Sequence, residues 1–176
     1  MFILQWLDGY RPGGSLRAWR DFFLHSTIYG LDVQPDTQFY DERIKTYLCD
    51  STNKQQVDNF IRSLDDIKFD IIIDDGSHVA KNQLTTLSNL YPHLKNNGYY
   101  IIEDIYPDNI LKNKPKVIAS KCNNNPYFLV NTYPSNMCVI YKNDLYSHIQ
   151  SDQPTERFYH KIFKIVKIYL YRINTI

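Results

Sequence analysis

Apolar and polar positions along the chain fall into short blocks that switch between a period of two and a period near 3.6. FILQWL (2–7) reads as a short strand, followed by the turn-rich loop DGYRPGGS. In SLRAWRDFFLH (15–25), Leu16, Trp19, Phe22 and Phe23 recur at helical spacing behind Ser15, a residue suited to cap a helix. TIYGLDV (27–33) and RIKTYLC (43–49) predict strands that end near Asp32 and just before Asp50. Residues 52–64 predict a helix with Val57, Phe60, Ile61 and Leu64 on one face. FDIII (69–73) fits a strand buried on both faces of a parallel sheet. A helix over 79–94 follows, with Leu84, Leu87, Tyr91 and Leu94 on one side and Asn96, Asn97 and Gly98 to stop it. YYIIE (99–103) is the next strand.

Strand and helix therefore alternate, which predicts an α/β fold with right-handed crossovers between parallel strands. Residues 106–125 are polar, with room for a short helix. PYFLVNT (126–132) and MCVIYKN (137–143), joined by YPSN, predict a hairpin that closes the sheet edge. The expected architecture is a Rossmann-like, doubly wound, mostly parallel sheet with an antiparallel C-terminal hairpin. It occupies residues 1–150 and leaves a tail at 151–176. In that tail ERFYHKIFKIVKIYLYRI (156–173) interleaves Lys161, Lys164, Lys167 and Arg172 with large apolar residues, the pattern of a basic amphipathic helix. Packing on the domain or homodimerisation is the commoner use of such a helix, ahead of contact with an anionic membrane surface.

Composition narrows this picture. A length of 176 residues suits one domain, or one domain with a tail, and is enough to build a core without staples. The net charge of +1 argues against a nucleic-acid binder that works through a broad basic field. Cys49, Cys122 and Cys138 are odd in number and widely spaced, which points to free thiols in a reducing compartment. The first ten residues lack the pattern of a secretory signal, and no run of about 18 apolar residues is present. A cytoplasmic protein is expected.

In open α/β sheets, ligands bind beyond the carboxyl ends of the strands. The polar residues at those ends are the Gly13-Gly14-Ser15 loop, Asp32, Asp50, Asp74-Asp75-Gly76-Ser77-His78 and Glu103-Asp104. A glycine loop before a helix lets backbone approach an anion, and an acid ending the second strand commonly accepts from ribose hydroxyls. Each feature alone also has a plain structural reading: the glycine loop and Asp74-Asp75-Gly76 as turns, Asp32 as a cap or turn, His78 as a surface residue at a helix start, and Glu103-Asp104 as solvated loop acids. The conjunction is stronger, because two strands that end in acid pairs bring three or four carboxylates into one crevice. Unneutralised carboxylates repel one another, and a hard divalent cation such as Mg²⁺ resolves that repulsion. His78, one turn away, is placed to act as a base near neutral pH.

The strings FDIIIDDGSH and GYYIIEDI, with GGSLRAWRDFF and IYGLDV before them, resemble the Mg²⁺-dependent class I S-adenosylmethionine methyltransferases that act on macrolide sugars, and their cephalosporin-hydroxylase-like relatives. The resemblance runs from about residue 7 to 105. It implies an S-adenosylmethionine-dependent O-methyltransferase, in which a methyl group passes to a hydroxyl of a sugar or other small-molecule diol. It implies Asp75, Glu103 and Asp104 as metal ligands and His78 as the general base. Asp32 would hold the cofactor ribose, Asp50 would lie by the adenine, and Gly9, Gly14 and Ser15 would line the methionine end. The alternative is a degenerate cofactor-binding or interaction domain without turnover.

Overall fold

The computed structural model describes residues 12–106, 115–123, 125, 127–132 and 135–143. The strand predicted at 2–7, Gly9 and the tail at 151–176 lie outside the described residues.

Helix α1 (Gly14–Phe22) starts behind Gly13 rather than behind Ser15, which lies within its first turn. Gly13 adopts a left-handed φ of 86°, and a Cβ there would fall 2.2 Å from the Phe39 ring, so only glycine fits. The helix ends at Phe22, earlier than the apolar spacing predicts, because Phe23 leaves helical geometry. Trp19, Phe22 and Phe23 pack on one another, with ring centroids 4.7 to 6.5 Å apart.

Strand β1 (Ile28–Asp32) pairs in parallel with the strand at Ile44–Leu48. Between them the chain makes a 3₁₀ turn (Pro35–Thr37) and the two-residue strand β2 (Tyr40–Asp41), neither of which the apolar pattern foretells. The strand at Ile44–Leu48 is β3, and β2 lies antiparallel on its far side. Helix α2 (Lys54–Arg62) is capped by Asn53, whose Oδ1 accepts the Gln56 amide at 3.2 Å, and it buries Val57, Phe60 and Ile61.

Strand β4 (Phe69–Asp74) runs parallel to β5 (Leu94–Ile105), with helix α3 (Ala80–Leu90) between them. The helix predicted to reach residue 94 stops at Leu90. A 3₁₀ turn follows (Tyr91–His93), because Pro92 has no amide hydrogen to continue the α-helical ladder. Strand β5 consequently begins at Leu94, five residues before the strand predicted at 99–103. Helix α4 (Pro115–Lys121) fills part of the polar connection. Strands β6 (Tyr127–Thr132) and β7 (Ser135–Tyr141) pair antiparallel, and β7 pairs antiparallel with β5.

The described residues form two sheets, β1-β3-β2 and β4-β5-β7-β6, where one sheet is predicted. Aromatic packing joins them: the Tyr29 ring of β1 lies 5.7 Å from Phe69 of β4 and 6.5 Å from Phe60 of α2. One apolar cluster runs from Val57 and Ile61 of α2, through Leu87 of α3 and Tyr100 and Ile102 of β5, to Ile118 of α4 and Ile140 of β7. Among the described residues, no helix is long and apolar enough to cross a membrane.

All three cysteines are free and buried. Burial pushes the Cys122 thiol from an ordinary 9.0 up to about 12, and it drives Cys138 higher still. Burial, with Asp50 nearby, also raises Cys49. At pH 8 a disulfide-forming thiol reagent should therefore label none of them rapidly in the native protein and all three in guanidinium. The folded pKa exceeds the unfolded one, so the stability these thiols contribute is full below pH 9.0 and is lost as the pH rises toward about 12. Urea melts should show a lower midpoint at pH 10 than at pH 8. A fast-reacting thiol in the native state would contradict the burial.

Candidate metal and cofactor site

The predicted site residues described here gather at the carboxyl ends of the parallel strands and at the start of α1. Asp74 closes β4, and its Oδ1 accepts the Gly76 amide at 3.3 Å, which turns the chain sharply. His78 then adopts a left-handed φ of 58°, and its ring folds back over the preceding acid. Its Nε2 lies 3.1 Å from Asp75 Oδ1 and 3.7 Å from Asp104 Oδ2. Asp104 is also left-handed, with φ 49°, and sits where the β5–β7 register slips between Ile102 and Ile105. A slip of this kind re-aims a side chain at a strand end. Asp and His are among the residues that enter this region most readily, and five other non-glycine residues among those described do so elsewhere.

Asp75, His78 and Asp104 each offer a ligand atom, and these atoms lie within 4.8 Å of one another. Partial burial pushes the Asp75 pKa up and the Asp104 charge adds to the rise, while the His78 hydrogen bond opposes it. Glu103 is placed differently. It is buried, its backbone carbonyl accepts Gln83 Nε2 at 2.9 Å, and it is not part of the 4.8 Å group among the described residues. The structure thus brings together two of the three predicted metal ligands and places the predicted base between them. Two carboxylates within reach of one point, rich in oxygen donors, suit a hard divalent cation.

The second set of predicted residues lies at the ends of β1 and β3. Asp32 Oδ1 accepts the Gln34 amide at 2.8 Å, and the Asp32 carbonyl accepts the Cys49 amide at 2.8 Å, which ties the two strand-end loops together. Asp50 Oδ1 accepts the Thr52 amide at 2.9 Å and the Thr52 hydroxyl at 2.7 Å. Each aspartate spends one oxygen on its own loop, and Val33 beside Asp32 is 58% exposed, an apolar surface next to a polar anchor. Gly14 and Ser15 form the first turn of α1, and a Cβ on Gly14 would meet nothing within 4 Å. Gly9 lies outside the described residues.

Helix α3 supplies residues that the apolar pattern passes over. Gln83 binds the Glu103 carbonyl, Thr86 Oγ1 lies 3.0 Å from Ser51 Oγ, and Asn89 Nδ2 donates to the Ser51 carbonyl at 3.0 Å. All three are buried. They pin the loop after β3 and the carboxyl end of β5 to one helix. Their spacing of three residues, beside Leu87 and Leu90, is the signal that marks a polar seam on a buried face.

The fold is a Rossmann-like one of the kind found in a solved methyltransferase, and the chain is similar to mycinamicin VI, demethylmacrocin and rhamnosyl-tetracenomycin O-methyltransferases. The chain is 39% identical over 94 residues to mycinamicin VI 2''-O-methyltransferase of Micromonospora griseorubida, which covers 53% of this chain and 23% of that protein. It is 40% identical over 96 residues to a tetracenomycin-C rhamnosyl 3'-O-methyltransferase of Streptomyces olivaceus, with 53% and 24% covered. Among solved structures it is similar to the mycinamycin-pathway methyltransferase MycE in complex with Mg and SAH. That match has a TM-score of 0.62 and 27% identity over 87% of this chain and 46% of that one. No family model matches the chain. The alignments cover about a quarter of the length of the curated relatives.

Proposed function

We propose that this chain carries the cofactor- and metal-binding part of an S-adenosylmethionine-dependent O-methyltransferase whose acceptor is a sugar hydroxyl. The observation that carries the reading is the Asp75–His78–Asp104 cluster at the ends of β4 and β5. It lies in a chain similar to O-methyltransferases of mycinamicin VI and of a rhamnosyl tetracenomycin, and to a mycinamycin-pathway methyltransferase solved with Mg and SAH.

Asp75 and Asp104 would hold Mg²⁺, with Glu103 on the same bulge as a third candidate ligand. The ion, when bound, supplies Lewis-acid polarisation of an acceptor oxygen. His78 would take the hydroxyl proton as the oxygen–carbon bond forms. The sulfur–carbon bond breaks in the same event, and its electron pair stays on sulfur as the sulfonium becomes a thioether. Asp32 would hold the cofactor ribose, Asp50 would lie by the adenine, and Gly14 and Ser15 (with Gly9) would line the methionine end. Because one Asp32 oxygen is already engaged with Gln34, the other is the one available to a ribose hydroxyl. Positioning of cofactor and acceptor contributes much of the acceleration in a reaction of this type.

Calorimetric titration with S-adenosylmethionine, with and without Mg²⁺, and with S-adenosylhomocysteine as the product control, tests the reading. Saturable binding of both cofactor forms, followed by methyl transfer to mycinamicin VI or a tetracenomycin rhamnoside, is the expected result. A folded sample that binds neither cofactor form would overturn it and favour a degenerate module.

A further inference from the structure

Two buried polar atoms lack a hydrogen-bond partner among the described residues: Asp74 Oδ2 and Tyr100 Oη. Asp74 is 7% exposed and Tyr100 is 0% exposed. Burying such groups unpaired is unfavourable, so a native fold is expected to pair them. The sheet register explains how they come to be neighbours. Ile72 of β4 pairs with Tyr100 of β5, and Asp74 pairs with Ile102. Residues two apart share a face, so Asp74 and Tyr100 stand diagonally on the same side of the β4–β5 pair. That side belongs to the apolar cluster holding Ile72, Ile102 and Cys122. The two groups sense each other: burial, and then the Asp74 carboxylate, raise the Tyr100 pKa well above its ordinary 10.0. The side chain is therefore a phenol, a donor, facing a carboxylate that needs one.

We propose that Tyr100 is a positioning residue for the candidate metal loop, its hydroxyl joined to Asp74 Oδ2 across one buried water. The inference rests on the metal-site reading above for its functional consequence. The path is short. The other Asp74 oxygen receives the Gly76 amide, and this turn sets the backbone that carries Asp75 and the left-handed His78. Holding Oδ2 from below fixes the carboxylate rotamer, and with it the turn. A water between them would accept from the phenol and donate to the carboxylate, which satisfies both orphaned atoms.

The test compares wild type, Tyr100→Phe, Asp74→Asn and the double variant, in two measurements. In metal-free protein, amide hydrogen exchange across residues 74–79 should quicken about tenfold in Tyr100→Phe, while exchange in β7 is unchanged. Adding Tyr100→Phe to Asp74→Asn should change nothing further. Mn²⁺ affinity should fall about tenfold in Tyr100→Phe, again with no added loss in the double variant. Wild-type exchange in Tyr100→Phe, or additive effects in the double variant, overturns the inference. If wild-type protein binds no Mn²⁺, the metal-site reading fails, and the metal-free exchange comparison still decides whether Tyr100 holds Asp74. Should Tyr100→Phe fold poorly, the Tyr100 ring chemical shifts compared between wild type and Asp74→Asn decide: a change supports the pairing, and unchanged shifts refute it.

Discussion

Asp75→Asn is expected to abolish Mg²⁺ and Mn²⁺ binding at millimolar metal while leaving the fold intact. The Asp75 side chain is 52% exposed, and Asn preserves its shape and an acceptor for His78 Nε2, 3.1 Å away. The substitution removes one of two carboxylates that face a common point, together with its full negative charge. Ligand charge count tunes divalent affinity over decades, so a loss of about 100-fold or more is expected. Methyl transfer should fall with it. Calorimetry with Mn²⁺, beside a thermal melt, separates the two effects. A melting temperature near wild type with no metal heat is the expected pair. Unchanged Mn²⁺ affinity would remove Asp75 from the ligand set. Asp104→Asn should behave in the same way, with one difference. Asp104 sits at φ 49° in the β5 bulge, and Asn tolerates that conformation as readily as Asp, so the backbone should not move.

His78→Ala is the second large effect. The ring bridges Asp75 and Asp104, so its loss should leave cofactor binding intact and cost turnover by about 10²–10⁴-fold, the usual worth of a general base. The bridging position adds a second expectation. Where two carboxylates lose the imidazole between them, their repulsion is relieved by a cation, so metal binding should be retained or tightened in the variant. Turnover on a glycoside accepted by wild type, with S-adenosylmethionine affinity measured alongside, checks both. Wild-type kcat in His78→Ala would mean that another group takes the proton. His78→Gln separates base from spacer. It keeps a hydrogen-bonding side chain but cannot accept the proton near neutral pH, so it should be as slow as alanine.

Much of the candidate cluster was legible in the chain. DDGSH after a short β-rich run, and IIED after a second one, place acids at the ends of neighbouring parallel strands whatever the details of packing. The alternation of periods located β1, β3, α2 and β4 to within a few residues, because amphipathic spacing is a local property. Local reasoning failed where a single residue or a distant contact decides. Pro92 ends the α3 region early and lengthens β5. Gly13, crowded by Phe39, moves the start of α1 ahead of Ser15. The small strand β2 exists because Tyr40 and Asp41 find Lys45 and Ile44 across an antiparallel ladder.

The acids at Glu103 and Asp104 show the division most clearly. Sequence alone determines that two carboxylates end this strand and that a histidine follows the acids of its neighbour. Which carboxylate reaches His78 was decided by tertiary structure. The register slip between Ile102 and Ile105 holds Asp104 in a left-handed conformation beside His78, while Glu103 is buried and anchored through its carbonyl to Gln83. The same holds for the polar seam of α3 and for the diagonal meeting of Asp74 and Tyr100. Spacing along a chain sets which residue types are available at a strand end. Their direction is set by register, bulge and the helix packed above, and these depend on residues far away in sequence.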